Sequence, residues 1–168
     1  MSELVPFAGF EPVPPLTRFS LRGQLSTLAS ALVPTGVPIS EQVCRAVEQE
    51  LGVALWLGPD EQLLLTHGPQ AERLAQILRE TLTQIPHSLV DISQRQIAFE
   101  ITGPNARTLL NSGCPLDLGD AAFPVGMCTR TLFEKCEIVL WKRTPDTFHV
   151  EVWRSFAPYL TGLLARSS

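Results

Sequence analysis

The side chains in this 168-residue chain with the most chemical potential are three histidines, four cysteines and one Asp-x-Ser pair. A metal centre needs its ligands at short, recurring spacings, and His67, His87 and His149 share none. His67 precedes a turn, His87 follows Pro86, and His149 alternates with Phe148 and Val150 on a strand-like run, so all three read as ordinary surface or edge histidines. Cys44, Cys114, Cys128 and Cys136 show no Cys-x-x-Cys spacing and read as reduced thiols. A nucleophilic thiol needs a cation or a helix N-terminus beside it. Gly113-Cys114-Pro115 shows neither, so Cys114 reads as a buried or loop thiol. No Gly-x-Ser-x-Gly elbow, Gly-x-Gly-x-x-Gly turn or phosphate loop occurs, although a Ser/His/Asp triad assembled from distant segments stays open. In Asp91-Ile92-Ser93, short polar side chains can bond nearby backbone N–H groups, and the expected role is to brace a turn.

The elements that must position these residues follow from periodicity. Val90–Leu110 reads as strand, tight turn, strand, then a helix opened by Gly103-Pro104. Ile97, Phe99 and Ile101 alternate with Ala98 and Glu100, the period of a half-buried strand. Upstream, Arg18–Arg22 reads as a strand and Gln24–Leu32 as a helix ended by Pro34-Thr35-Gly36. Gln42–Val47, Leu51–Leu57 and Gln62–Thr66 read as strands. Gly68-Pro69 opens an amphipathic helix with Ala71, Leu74, Ile77, Leu78 and Leu82 on one face. Downstream of a Gly/Pro-rich loop (112–124) come strands Met127–Phe133, Glu137–Lys142 and Thr147–Val152, then a helix from Ser155 to Leu164. Trp56, Trp141 and Trp153 lie on or beside strands as packing residues; tryptophan is also enriched at interface hot spots, which leaves a partner-facing role open for one of them.

The order strand, helix, several strands, helix occurs twice, and Gly68-Pro69-Gln70-Ala71 echoes Gly103-Pro104-Asn105-Ala106. The expected fold is α+β: two ferredoxin-like antiparallel-sheet units with helices on one face. The expected organisation is a Pro-rich N-terminal arm (1–16), then one domain (17–168) of two related halves, about 17–85 and 86–168. The arm and the 112–124 loop are the segments expected at partner contacts, being Pro-rich and long for connectors.

Composition excludes some functions. Net charge is −4 and no basic block stands out, so phosphate-driven nucleic-acid binding is not expected. The start lacks a basic stretch followed by an apolar run, and no run of about 18 apolar residues occurs. A cytoplasmic chain with no membrane association is expected. Charged residues make up 18% and hydrophobic ones 45%, against roughly 25% charge in typical soluble domains. The apolar surplus fits a core-rich domain and a partner-bound one equally.

Seven stretches together resemble the gamma subunit of heterotetrameric sarcosine oxidase: LWLGPDEQLLL (55–65), VDIS (90–93), ITGPNARTLL (101–110), GCPLDL (113–118), AFPVG (122–126), TRT (129–131) and WRSFAPYL (153–160). The resemblance runs from about Arg18 to Leu164 and is poor over 34–50. It implies a fold like the folate-binding part of the glycine-cleavage T-protein, which has a similar Asp-x-Ser and Gly-Pro-x-Ala pattern. That relative carries an acidic loop centred on a catalytic aspartate. The corresponding turn here reads Phe133-Glu134-Lys135-Cys136-Glu137, without the paired aspartates and with Glu134 or Glu137 as the only substitutes.

The resemblance further implies a non-catalytic structural subunit docked on a large alpha subunit that carries NAD and a tetrahydrofolate site. A beta subunit with FAD and FMN and a zinc-binding delta subunit complete that assembly. The complex would act as a flavin-dependent oxidoreductase, oxidatively demethylating sarcosine to glycine and passing the one-carbon unit to tetrahydrofolate or releasing formaldehyde. No catalytic, cofactor-binding or metal-ligating residue is then expected in this chain. The alternatives are an independent folate-binding or aminomethyl-transfer protein, and a thiol activity through Cys114.

Overall fold

A computed structural model describes residues 9–167. Contacts divide the chain into two units, residues 15–94 and residues 9–14 with 95–167. Each unit is an antiparallel five-stranded sheet with two helices.

The first unit runs β2 (Thr17–Gly23), α1 (Leu25–Leu32), β3 (Ala46–Gln49), β4 (Gly52–Gly58), β5 (Glu61–Thr66), α2 (Pro69–Thr81) and β6 (His87–Asp91), in the sheet order β3-β4-β5-β2-β6. All six residues of β5, which lies between β4 and β2, are buried: Leu63–Leu65 run without alternation, and Glu61, Gln62 and Thr66 are buried polar residues. Leu74, Leu78 and Leu82, one helical turn apart, are fully buried with Leu28, Ala29 and Leu32 of α1 against Phe19, Leu21, Ala54 and Leu64 of the sheet. Both helices therefore lie on the same sheet face, the sense of the stripe read from sequence.

In the second unit β7 (Gln96–Thr102), α3 (Ala106–Asn111), β8 (Cys128–Phe133), β9 (Cys136–Thr144), β10 (Thr147–Trp153) and α4 (Ala157–Ser167) are joined by β1 (Gly9–Pro12), in the order β1-β7-β10-β9-β8. Phe99, Ile101, Ile138, Leu140, Phe148, Val150 and Val152 face Leu109 and Leu110 of α3 and Leu160 and Leu164 of α4.

Written from the outer edge, the two orders are β3-β4-β5-β2-β6 and β8-β9-β10-β7-β1. The units share one topology, in which β6-β2-β5-β4 with α1 and α2 is the ferredoxin-like arrangement. The strand from the start of the chain takes the place in the second unit that β6 takes in the first. The Gly-Pro echo does not mark this repeat: Gly68-Pro69 opens α2, the second helix of its unit, whereas Gly103-Pro104 precedes α3, the first helix of the other.

Three local expectations change. The strands either side of the turn at 92–95 do not pair, since β6 bonds β2 and β7 bonds β10 and β1. The turn itself is braced as expected: Ser93 N and Oγ donate to Asp91 Oδ1, at 2.9 and 2.5 Å. Ser93 Oγ also accepts the Arg18 N–H at 2.9 Å, and Ile92 N–H donates to Arg18 O. This ties the turn to β2, so the chain leaves the first sheet without folding back as a hairpin. Next, β3 starts at Ala46 and not at Gln42, because Gln42–Cys44 forms a turn with Cys44 at φ +56°. Finally, of the expected N-terminal arm, Gly9–Pro12 is the edge strand β1, paired with Phe99–Thr102, while residues 1–8 lie outside the described part.

Candidate functional site

The sequence-predicted thiols sit where chemistry is poor. Cys114 is 4% exposed, and its Sγ meets the Thr131 hydroxyl at 3.9 Å. Cys128 and Cys136 are wholly buried, and burial pushes the Cys136 thiol above its ordinary value, which withholds the thiolate a nucleophile needs. His67 and His87 are exposed, and His87 Nδ1 donates to Ile85 O at 2.7 Å.

His149 is neither a surface nor an edge residue. β10 lies inside the sheet, between β7 and β9, and Phe148–Val152 are all buried, so its polar face is covered as well as its apolar one. His149 Nε2 is 2.9 Å from Glu151 Oε1, with side-chain exposures of 5% and 0%, and the Trp141 ring lies 5.8 Å from the imidazole. The two residues are two apart on one strand and so share a face. Among the described residues, no group of three or more His, Cys, Asp or Glu side chains could hold a metal ion.

A second polar cluster holds the 112–124 loop. Lys142 on β9 is wholly buried. Its Nζ donates to Asp120 Oδ1 at 2.6 Å and to Leu118 O at 3.5 Å, and lies 5.4 Å from the Phe148 ring centre. Arg107 reaches both Asp120 oxygens at 3.4 Å. The Lys142 hydrogen bond first, then the Arg107 and Lys142 charges, hold the Asp120 carboxyl below its ordinary 3.8. The loop's Cys114, Leu118 and Phe123 are in turn buried in the core of their unit. The cluster thus anchors a connector: its one carboxylate is already bound by two cations.

Because folding lowers the Asp120 pKa, its ionised form stabilises the fold fully above the ordinary value near 3.8, and this contribution is lost as pH falls through the lowered value. Asp120→Asn is therefore expected to unfold more readily than wild type at neutral pH. It should also lose less further stability between about pH 5 and about pH 3. Urea unfolding midpoints across that range check both.

The turn for which the resemblance implies an acidic loop, Phe133–Glu137, is a two-residue hairpin. Glu134 takes φ +51° and its N–H donates to Gly113 O, while Glu137 pairs with Arg130 at 3.5 Å across β8 and β9. One carboxylate sits in a tight turn and the other is bound to a guanidinium. This does not fit the paired-acid centre expected from the resemblance.

What the sequence did not disclose is an exposed aromatic run. Trp153, Phe156 and Tyr159 are 42%, 44% and 40% exposed, at the end of β10 and the start of α4. Arg95 lies over the Trp153 ring at 5.2 Å, and Arg154 N–H donates to Arg95 O. Of the three tryptophans, Trp153 is the one whose place at the strand's last residue leaves it exposed.

The paired α+β units place the chain in the class of aminomethyltransferase-T-like folds. The glycine cleavage system aminomethyltransferase T from Bartonella henselae superposes with a TM-score of 0.65 over 95% of this chain and 46% of that one, at 14% identity, a likeness of fold alone. The family is narrower: residues 30–168 match the sarcosine oxidase, gamma subunit family, and the chain belongs to it. Sarcosine oxidase subunit gamma from Corynebacterium sp. (strain P-1) is 33% identical over 138 residues, 82% of this chain and 66% of that relative. The Arthrobacter sp. subunit gamma is 34% identical over 74% of this chain and 60% of its own length. The matches thus span just under two thirds of these relatives. A chain of the heterotetrameric sarcosine oxidase from Corynebacterium sp. U-96, solved with pyrrole 2-carboxylate, superposes with a TM-score of 0.84 at 26% identity, covering 95% of this chain and 83% of that one. Among the described residues, no helix is long and apolar enough to cross a membrane.

Proposed function

We propose that this chain is the gamma-type, non-catalytic subunit of a heterotetrameric sarcosine oxidase in the cytoplasm. It docks on the large alpha subunit, with beta and delta subunits in the same complex. The observation that carries the reading is the superposition over 95% of the chain on a chain of such an oxidase, at a TM-score of 0.84. The chain's role is to complete and stabilise the assembly. FAD, FMN, NAD, tetrahydrofolate and zinc belong to the partner subunits, which oxidise the N-methyl amine and hand on the one-carbon unit. This chain supplies no catalytic, cofactor-binding or metal-ligating residue. Its gathered polar groups support that assignment, because His149–Glu151 and Lys142–Asp120–Arg107 are engaged with one another. A folate-binding or aminomethyl-transfer protein acting alone is disfavoured by the bound and tightly turned carboxylates at Glu134–Glu137.

The native mass of the tagged chain, recovered from its own cells without denaturation, tests the reading. A particle far above 18.5 kDa that contains flavin-bearing subunits is expected. A free 18.5 kDa monomer overturns it.

A further inference from the structure

We infer that the aromatic ridge Trp153–Phe156–Tyr159, continued along the Gly162 face of α4, is the surface by which this chain docks on a different, larger subunit, one presenting an apolar socket edged by carboxylates. The inference rests on the subunit reading above and adds the surface and its chemistry. Three of the chain's exposed large apolar side chains fall within seven consecutive residues, with Arg95 stacked on the first. Tryptophan, tyrosine and arginine are the residue types that dominate binding energy at interfaces.

Gly162 is the second observation. It sits inside α4 on the exposed face with Pro158 and Tyr159, opposite buried Ala157, Leu160 and Leu164. A Cβ built there meets nothing within 4 Å. Glycine is a poorer helix former than almost any other residue, and among the described residues no contact calls for it. A neighbouring backbone approaching this face closely does.

Charge states what that neighbour carries. The chain is acidic overall, yet Trp153–Arg166 holds no Asp or Glu, and Arg95, over Trp153, and exposed Arg166 place guanidinium groups along it. An acidic rim complements it, and charge complementarity sets partner choice. A second copy of this chain would bring like charges together.

The test is recovery of the assembled complex by the tagged full-length chain, read by native mass. Phe156→Ala with Tyr159→Ala should lower recovery on the order of tenfold or more. Gly162→Gln separates docking from folding. Glutamine is the better helix former, so the chain itself should melt about 2 °C higher, while a long side chain on the docking face lowers recovery. Val33→Thr and Val43→Thr, exposed apolar sites elsewhere, should leave recovery at wild type. Undiminished recovery of Gly162→Gln overturns the inference, and so does release of a second copy of this chain in place of a different subunit. If wild type itself comes out free of other subunits, the subunit reading fails first and the surface with it.

Discussion

Replacing Gly52 by alanine is expected to remove about 3 kcal/mol or more of stability. Two independent penalties meet there. The backbone at Gly52 has φ +139°, which L residues rarely adopt, and an added Cβ would lie 2.2 Å from the Leu65 carbonyl oxygen and 3.1 Å from Thr66 Cβ. The clash cannot be relieved by a side-chain rotation, because the obstacle is backbone. Leu65 is held between Val53 of β4 and Arg18 of β2, so moving its carbonyl disturbs two ladders. Gly36→Ala is the informative companion: φ is +79° there and nothing lies within 4 Å of the new Cβ, leaving only the conformational penalty of about 1 kcal/mol. Urea unfolding of both variants separates strain from collision. Similar midpoints for the two would mean that the β3–β4 turn can shift away from Leu65.

Local periodicity made the helices and most strands legible. The Leu74, Leu78, Leu82 stripe and the alternation in β7 and β10 are properties of single segments, and they stand almost where the pattern puts them. What periodicity does not contain is the partner of each strand. β6 and β7 are separated by four residues and alternate well, which is also the appearance of a hairpin. Contacts between residues far apart in sequence, the Arg18–Ser93 and Ile92–Arg18 bonds and the β2–β6 ladder, send them to different sheets. Strand β1 was hidden for a related reason: Gly9–Pro12 has no apolar alternation and ends in proline, which an edge strand tolerates.

The same limit governs the site. His149 and Glu151 alternate with Phe148, Val150 and Val152 on β10, a pattern that suits a half-solvated sheet, so their charges read as outward-facing. β10 has a strand on each side and both its faces are covered, which turns His149 and Glu151 into a buried pair. The WRSFAPYL stretch was recognisable as a family-like motif, yet residue types alone do not separate a core tryptophan from an exposed one. Burial of Ala157, Leu160 and Leu164 on the opposite side of α4 makes the difference, since it turns Tyr159 and Gly162 outward.

Phe148→Ala is the second substitution with a large expected effect, a loss of about 3–5 kcal/mol. Phe148 is wholly buried on β10, in the same cluster as Ile101, Leu140 and Val150. Truncation removes its apolar contacts and leaves a cavity that neighbouring strands, fixed by ladders on both sides, can fill only in part. A second loss follows from Lys142, whose ammonium stands over the Phe148 ring and cross-strand from it. Without the ring, a buried cation keeps Asp120 and Leu118 O as neighbours but loses its aromatic one, and the cavity beside it is apolar. Hydrogen exchange should therefore report faster opening of 112–124, the loop that Lys142 holds, as well as a lower global midpoint. Phe148→Leu retains most of the volume but not the ring face. It should cost about 1–1.5 kcal/mol and still loosen the loop. If loop protection survives in the leucine variant, the loop is held by the Lys142–Asp120 pair and the buried Leu118 and Phe123 alone, and the ring contributes only packing.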